Sequence, residues 1–352
     1  MPASSAAAAQ RAALLRRSRD AAGIVCVHYR YPSCVATPAQ GRGIHMSRTY
    51  PPVSLLGAPT DVGAGHRGAR LGPEALRIAG LGEALAARGV DVVDRGNLDG
   101  PRNPWQKPVE GYRHLPEVVA WNRLVMDAVG AELREGRMPI LLGGDHCLGL
   151  GSITAVAQHC RETGKQLRVL WLDAHADFNT SQVTPSGNIH GMPVSCLCGL
   201  GPEALTHLGG SAPAMRPDEI RQIGIRSVDR GEKQLIQQHG LDVYDMRYID
   251  EIGMKRVMEE ALEGVDENTH LHVSFDVDFL DPSIAPGVGT TVPGGPNYRE
   301  AQLVMEMIAD SGRLASLDIV ELNPILDKRN RTAKLAVDLV ESLFGKSTLM
   351  RE

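Results

Sequence analysis

Cysteine is scarce in this sequence, and long apolar runs are absent from it. The 352 residues include six cysteines, and these lack the paired spacing of a zinc-binding motif. A chain this long with so few cysteines is not a disulfide scaffold, so we expect reduced thiols and a cytoplasmic location. No stretch approaches the roughly 18 consecutive apolar residues of a membrane helix. The sequence therefore predicts a protein without a membrane partner.

The chain also has no excess of positive charge. Its formal net charge is −5 and its pI is about 6.2. No basic stretch resembles those that bind nucleic acid or anionic lipid. The 43 % of hydrophobic residues, in contrast, is enough for a large core. These features argue against nucleic acid as a partner and favour a small-molecule substrate.

The first 45 residues contain almost no acidic side chains. Six arginines occur by residue 42, and Asp20 is the only acid. Such a segment cannot bury a core, and it is compatible with a targeting sequence, a disordered tail or an upstream start before Met46. We predict a disordered extension over residues 1–45 and a single folded domain over residues 46–352.

From Val53 onward, short apolar runs alternate with longer amphipathic segments. Runs such as VSLLGAP and MPILLGG have the length of strands, whereas GPEALRIAGLGEALAARG and YREAQLVMEMIADSG have helical spacing. The proline-rich residues 97–116 predict an irregular loop. Strands that alternate with helices in this way predict an α/β fold, in which helices surround a parallel sheet.

Acidic and imidazole side chains follow three of the predicted strands, in ILLGGDH, VLWLDAHAD and VSFDVD. Ligands of parallel sheets bind beyond the carboxyl ends of the strands, so these side chains should converge on one crevice. Without a cation, so many carboxylates would repel one another strongly. The candidate ligands are His146, Asp173, His175, Asp177, Asp276 and Asp278.

Carboxylates with a minority of imidazoles suit Mn²⁺, and the lack of thiolate ligands argues against a structural zinc site. Six ligands are too many for one ion with an open position, so we predict two Mn²⁺ ions per chain, roughly 3.5 to 4 Å apart. Such a pair lowers the pKa of bound water, which predicts a hydrolase. Asp145 is expected outside the ligand set, where it would orient a ligand imidazole.

Five segments resemble, in order, the signature segments of the ureohydrolase family, and most of all those of its arginases. They are GGDHCLGLGS (143–152), DAHADFNT (173–180), SGNIHGMPVS (186–195), SFDVDFLDPSIAPGVGT (274–290) and SLDIVELNP (316–324). The resemblance extends from Val53 to about Phe344. It implies a catalytic domain with a three-layer α-β-α fold around a mostly parallel sheet of about eight strands.

The resemblance also implies roles for the ligands. One ion would be bound by His146, Asp173, Asp177 and Asp276, and the other by Asp173, His175, Asp276 and Asp278. Hydroxide bridging the two ions would attack a guanidinium carbon. Asp177 would carry the proton to the leaving amine, and His190 would act as a proton shuttle near the cleft mouth.

Recognition of the α-carboxylate separates arginine from its decarboxylated analogue agmatine. The resemblance implies that Asn179 and Ser186 donate hydrogen bonds to this carboxylate, with Asn188 assisting. Agmatine offers no carboxylate to these donors, so their presence favours arginine as the substrate.

The rest of the substrate has its own expected contacts. Asp229 and Glu232 resemble the pair that binds the α-ammonium group, although such a pair could instead cap a helix. Glu321 would hold the guanidinium group, and Thr290 would lie near the bond that is cleaved.

The resemblance thus implies a manganese-dependent hydrolase of linear amidines that converts L-arginine to L-ornithine and urea. Agmatinase, or another guanidino-acid hydrolase, is the alternative within the same chemistry. A non-catalytic metal-binding protein of the same fold is a second alternative. The family resemblance further implies a homotrimer or a homohexamer.

Overall fold

The computed structural model describes residues 50–210 and 213–349, together with the backbone of residues 16–19 and 25–30. The two short backbone segments are strands β1 (Arg16–Arg19) and β2 (Val25–Arg30), which pair antiparallel. Most of the predicted disordered extension, residues 1–45, lies outside the described residues. That prediction and the domain boundary at residue 46 stay predictions.

Eight parallel strands form the central sheet of the described chain. In space they follow the order β4-β3-β5-β10-β9-β6-β7-β8, and β2 runs antiparallel beside β4. This arrangement confirms the predicted parallel α/β sheet. The strands are β3 (Val53–Ala58), β4 (Val92–Asn97), β5 (Met138–Gly143), β6 (Gln166–Leu172), β7 (Ile220–Ile225), β8 (Asp242–Asp245), β9 (Thr269–Asp276) and β10 (Leu314–Val320).

Helices cover both faces of the sheet and complete the three layers. Alternate residues of β5 show this, because Ile140 and Leu142 lie in one apolar core and Leu141 lies in the other. No helix of residues 50–210 and 213–349 is long and apolar enough to cross a membrane. The helices are α1 (Gly72–Ile78), α2 (Leu81–Ala87), α3 (Leu115–Arg134), α4 (Gly149–Thr163), α5 (Pro193–Leu197), α6 (Glu203–Thr206), α7 (Arg230–His239), α8 (Met246–Ile252), α9 (Met254–Ala261), α10 (Tyr298–Ser311) and α11 (Arg331–Leu343).

One helix prediction was wrong in its extent. The segment GPEALRIAGLGEALAARG forms two helices, α1 and α2, rather than one continuous helix. Gly80 between them has a φ of 88°, in the left-handed region that ends helices. The apolar periodicity continues across this break, which is why the sequence pattern alone did not reveal it.

A close approach of α3 and α4 positions the start of α4, which begins three residues after His146. Gly151 in the first turn of α4 donates its backbone N–H to the side-chain oxygen of Asn122 on α3, at 2.7 Å. This bond satisfies one of the helix's free N–H groups. A methyl group on Gly151 would overlap the carbonyl oxygen of Asn122 and lie 3.0 Å from Cβ of Val125.

We therefore expect Gly151→Ala to destabilise the protein by about 1 to 3 kcal/mol through overpacking. Gly130→Ala on α3 is the matched control, because its methyl group would meet only the flexible Arg134 side chain at 3.2 Å and Ala155 at 4.0 Å. That change should be neutral or stabilise by up to about 1 kcal/mol, the helix-propensity gain of alanine over glycine. Urea unfolding midpoints of the two variants measure the difference. Equal midpoints would show that α3 and α4 are less closely packed at Gly151 than the structure indicates.

Candidate metal centre and active site

The four central strands of the sheet deliver the predicted site residues to one edge. The neighbours β5, β10, β9 and β6 all run in the same direction, so their carboxyl ends lie side by side. His146 follows β5, Glu321 follows β10, Asp276 ends β9 and Asp173 follows β6. The convergence predicted from the sequence is therefore present in the fold.

The first group of candidate ligands surrounds Nδ1 of His146. This atom lies 2.9 Å from Oδ2 of Asp173, 3.1 Å from Oδ2 of Asp276 and 3.5 Å from Oδ2 of Asp177. His146, Asp173 and Asp276 offer ligand atoms close enough to one another to hold a single ion. All three residues are buried.

The second group shares Asp173 with the first. Nδ1 of His175 lies 3.1 Å from Oδ2 of Asp278 and 3.5 Å from Oδ1 of Asp173. Asp173, His175 and Asp278 again offer ligand atoms within reach of one ion. Asp173 thus lies between two adjacent sites. Asp276 belongs only to the first of these two groups, whereas the resemblance implied it as a second bridge.

Backbone hydrogen bonds orient these carboxylates. Oδ1 of Asp173 accepts from the N–H of His175 at 2.7 Å, and Oδ1 of Asp276 accepts from the N–H of Asp278 at 2.7 Å. Oδ1 of Asp278 accepts from the N–H of Ala174 at 3.1 Å. In each case a backbone N–H donates to Oδ1, and Oδ2 lies close to an imidazole.

Two buried polar atoms of the first group have no hydrogen-bond partner. They are Nδ1 of His146 and Oδ2 of Asp173, which approach each other without hydrogen-bond geometry. Unsatisfied buried polar atoms are costly, and a cation between them would remove that cost. Carboxylate oxygens and imidazole nitrogens are also the donor set that suits Mn²⁺. The residues therefore fit a pair of divalent cations.

The pKa shifts of these residues also indicate that the site favours added positive charge. Burial, together with the charges of Asp173 and Asp276, raises the pKa of Asp177 well above its usual range. Burial and the charges of Asp278 and Asp173 raise the pKa of Asp276 in the same way. Burial alone would lower the pKa of His175, but the carboxylates of Asp278 and Asp173 raise it well above its usual range.

Two residues that support His146 were missed by the sequence analysis. Its ring stacks on Trp171 with 3.9 Å between centroids and 4° between planes, and its Nε2 lies 2.8 Å from Oγ of Ser274. Trp171 and Ser274 are register partners on β6 and β9. Each precedes a ligand aspartate by two residues, so the period of a strand places it on the same face. This spacing was a usable signal in the sequence.

Asp145 lies outside the two ligand groups, as expected, but it does not orient an imidazole. Its Oδ2 accepts from the N–H of Gly63 at 2.9 Å, and its Oδ1 accepts from the N–H of Cys147 at 3.0 Å. The residue therefore caps the short turn that begins at His146 and ties it to the loop after β3.

Glu321 connects the metal centre to His190. Its Oε1 accepts from the N–H of His146 at 2.8 Å and lies 2.9 Å from Nδ1 of His190. Burial raises the pKa of Glu321, but the charges and hydrogen bonds of His190 and His146 together lower it below its usual range. Asp177 and Glu321 have φ values of 49° and 63°, which non-glycine residues rarely adopt. Such strain is concentrated at functional sites.

A cavity of about 240 Å³ lies over the ligands and has the predicted substrate residues in its wall. A larger cavity of about 380 Å³, beside the loops after β3 and β4, has none of them. The predicted residues in the wall are His175, Asp177, Asn179, Ser186, Asn188, His190, Asp229, Glu232, Asp276, Thr290 and Glu321. Ser227 is also in this wall and was missed, because a lone serine after a strand carries no distinctive pattern.

The residues expected to bind the α-carboxylate all line this cavity. Nδ2 of Asn179 donates to Oδ2 of Asp229 at 3.1 Å, and Oγ of Ser186 accepts from the N–H of Asn188 at 3.2 Å. The amide oxygens of Asn179 and Asn188 are buried without a partner. These two oxygens can only accept hydrogen bonds, so a ligand carboxylate would have to be bound by the amide NH2 groups and by the Ser186 hydroxyl.

Asp229 and Glu232 cap a helix, the alternative left open by the sequence, and also line the cavity. They form the capping box at the start of α7. Glu232 is buried, and its two oxygens accept from the N–H groups of Phe178 and Asp229 at 2.8 and 3.1 Å. Glu232 thus fixes the loop that carries Asn179, while Asp229 is the more accessible of the two carboxylates.

Thr290 is hydrogen-bonded to one of the candidate metal ligands. Its hydroxyl donates to Oδ2 of Asp278 at 2.9 Å. The residue therefore lies next to the second ligand group, on the cavity side.

Comparison with known proteins gives the same assignment along nearly the whole described chain. The model of the Arginase family matches residues 51–345. The arginase of Brucella melitensis biotype 1 is 46 % identical over 300 residues, which are 84 % of this chain and 97 % of the relative. The arginase of Bacillus caldovelox is 44 % identical over 301 residues, 85 % of this chain and 99 % of the relative.

Solved structures agree with the sequence relatives. The native structure of the Bacillus caldovelox arginase superposes with a TM-score of 0.81 at 42 % identity, covering 85 % of this chain and all of the other. The Entamoeba histolytica arginase in complex with L-ornithine superposes with a TM-score of 0.78 at 33 % identity, covering 84 % of this chain and 99 % of the other. The chain belongs to the arginase family.

Proposed function

We propose that this chain is an arginase, which hydrolyses L-arginine to L-ornithine and urea with two Mn²⁺ ions. The observation that carries the proposal is a pair of ligand groups that share Asp173, directly below a cavity suited to a guanidino amino acid. The relatives named arginase, at 44 and 46 % identity over most of the chain, support it.

The six residues predicted from the sequence would hold the ions, with Asp173 between them. Two divalent cations held there would lower the pKa of bound water and so supply a nucleophile near neutral pH. The role of the protein is to fix the carboxylates before the cations bind. The backbone bonds to Oδ1 of Asp173, Asp276 and Asp278 do this.

The remaining site residues would bind the substrate and move the proton. Glu321 accepts hydrogen bonds from the guanidinium group, whose planar donors suit a carboxylate. Asp177 lies against the first ligand group and carries the proton to the leaving amine. His190, at the cavity wall and 2.9 Å from Glu321, exchanges that proton with solvent.

A second set of cavity residues would bind the α-amino acid group of the substrate. Asn179 and Ser186, with Asn188, bind the α-carboxylate, and Asp229 binds the α-ammonium group. Glu232 holds the backbone of both loops in position. This division favours arginine over the agmatinase alternative, because agmatine has no carboxylate for the first set. A non-catalytic metal-binding protein would need neither His190 nor Glu321.

We also infer a cytoplasmic homotrimer or homohexamer. Reduced thiols support the location, and the four cysteines of residues 50–210 and 213–349 are free. Light scattering at micromolar protein should give a mass of three or six chains. A monomer mass would remove the oligomer from the proposal.

Metal removal and ligand substitution test the dinuclear centre. We expect about two Mn²⁺ ions per chain by metal analysis, and loss of turnover on chelation. Asp177→Asn and Asp276→Asn should each abolish nearly all turnover, because each removes a charge from the metal centre. His190→Ala should slow turnover less, since water can replace a proton shuttle.

Asp127→Asn, at an exposed position on α3, is the control and should change neither metal content nor rate. Full activity with one ion or none would contradict the dinuclear site. A larger loss from His190→Ala than from the aspartate changes would contradict the assigned roles.

Comparison of arginine with agmatine tests the substrate. A charge-assisted hydrogen bond contributes roughly 1.5 to 3 kcal/mol, so two bonds to the α-carboxylate should favour arginine by about two to four orders of magnitude in kcat/KM. Release of urea from arginine, agmatine and guanidinobutyrate measures this preference. Replacement of Asn179 and Ser186 together by alanine should weaken arginine hydrolysis and leave agmatine hydrolysis little changed. Equal or faster hydrolysis of agmatine by the unmodified protein would favour the agmatinase alternative.

A further inference from the structure

The two oxygens of the Glu321 side chain have different surroundings. Oε1 already accepts from the N–H of His146 and faces Nδ1 of His190. No donor from residues 50–210 and 213–349 reaches Oε2. A carboxylate oxygen has about two acceptor sites, so Oε1 is filled and Oε2 is the oxygen that can receive a ligand.

Gly289 lies close to Oε2. A Cβ atom built on Gly289 would lie 3.9 Å from Oε2 of Glu321 and 3.9 Å from Cβ of His66, with no other atom of the described residues within 4 Å. These distances are ordinary van der Waals contacts. The φ of Gly289 is also outside the left-handed region. Neither the backbone nor the packing of the protein therefore requires glycine here.

The loop around Gly289 is held in place at both sides. Val288 forms an antiparallel bridge with Leu322, the residue next to Glu321, and Thr290 donates to Asp278. The backbone of residue 289 is therefore held close to Oε2, next to Thr290 in the cavity wall.

Gly287, two residues earlier, shows the contrasting case. A Cβ on Gly287 would lie 2.6 Å from Cβ of Asp327 and 2.9 Å from Oγ1 of Thr332, which is too close for any side chain. Gly287 is thus required by the packing of the protein, and Gly289 is not.

We propose that Gly289 is a specificity-determining position, at which the absent side chain leaves room for a guanidinium N–H to donate to Oε2 of Glu321. A donor nitrogen must come to about 2.7 to 3.2 Å from the oxygen. A methyl group on residue 289 would occupy part of the surface from which the nitrogen approaches. This inference rests on the proposed arginase function and adds to it the oxygen used and the backbone that exposes it.

The test compares Gly289→Ala and Gly289→Val with the unmodified protein and with Gly287→Ala. Both variants at residue 289 should keep the unmodified metal content, and Gly289→Ala should keep the urea unfolding midpoint as well. KM for arginine should rise about ten- to a hundredfold in Gly289→Ala, as for the loss of one charge-assisted hydrogen bond, and further in Gly289→Val. Gly287→Ala should instead lower the unfolding midpoint.

The inhibition constant of L-ornithine separates a local effect at residue 289 from a general distortion of the cavity, because a general distortion would change this constant. L-ornithine carries the α-amino acid group but no guanidinium group, so its inhibition constant should be the same in Gly289→Ala as in the unmodified protein. A parallel rise in the inhibition constant and in KM would overturn the proposal, since the whole cavity would then be altered. An unchanged KM for arginine would overturn it as well.

The proposed function can fail separately from this inference. If the unmodified protein does not hydrolyse arginine, the proposed function is wrong. If it does and Gly289→Ala retains the same KM, only the assignment of Gly289 is wrong.

Discussion

Mutual repulsion of buried carboxylates is the constraint on which this structure depends. Asp173, Asp177, Asp276 and Asp278 meet at the carboxyl ends of the central strands, where little water can screen them. The imidazoles of His146 and His175 are placed among them, yet a buried nitrogen and a buried oxygen still lack partners. The arrangement becomes favourable when cations are bound, so folding and metal binding are expected to be linked.

Short-range hydrogen bonds from the backbone orient the ligand carboxylates before cations bind. In Asp-Ala-His and Asp-Val-Asp, the first aspartate accepts a hydrogen bond from the N–H two residues later. Such local turns are an ordinary use of aspartate after a strand. Here they also orient the carboxylates, so that Oδ2 of Asp173 and Oδ2 of Asp276 both lie close to His146. The i, i+2 spacing that first suggests ligands is therefore a requirement of the turn as well.

The sequence was sufficient for the fold class and for the convergence of the acids, because parallel strands place their carboxyl ends at one edge. It was not sufficient for contacts made across that edge. The two backbone N–H groups bound by Glu232, and the separate environments of the two Glu321 oxygens, depend on loops far apart in the chain. Gly289 gave no signal either, because a glycine kept open for a ligand looks the same in a sequence as one required by packing, such as Gly287.

A row of buried polar residues continues from the metal centre into the sheet. His270 and His272 on β9 face Ser316 and Asp318 on β10, and Asp318 also accepts from Ser152 on α4. These residues replace part of the apolar contact that usually joins a helix to a sheet. Hydrogen bonds are directional, whereas apolar contact is not, so they restrict how α4 can slide or rotate. Because α4 begins three residues after His146, this restriction limits the positions that the imidazole can take at the metal centre.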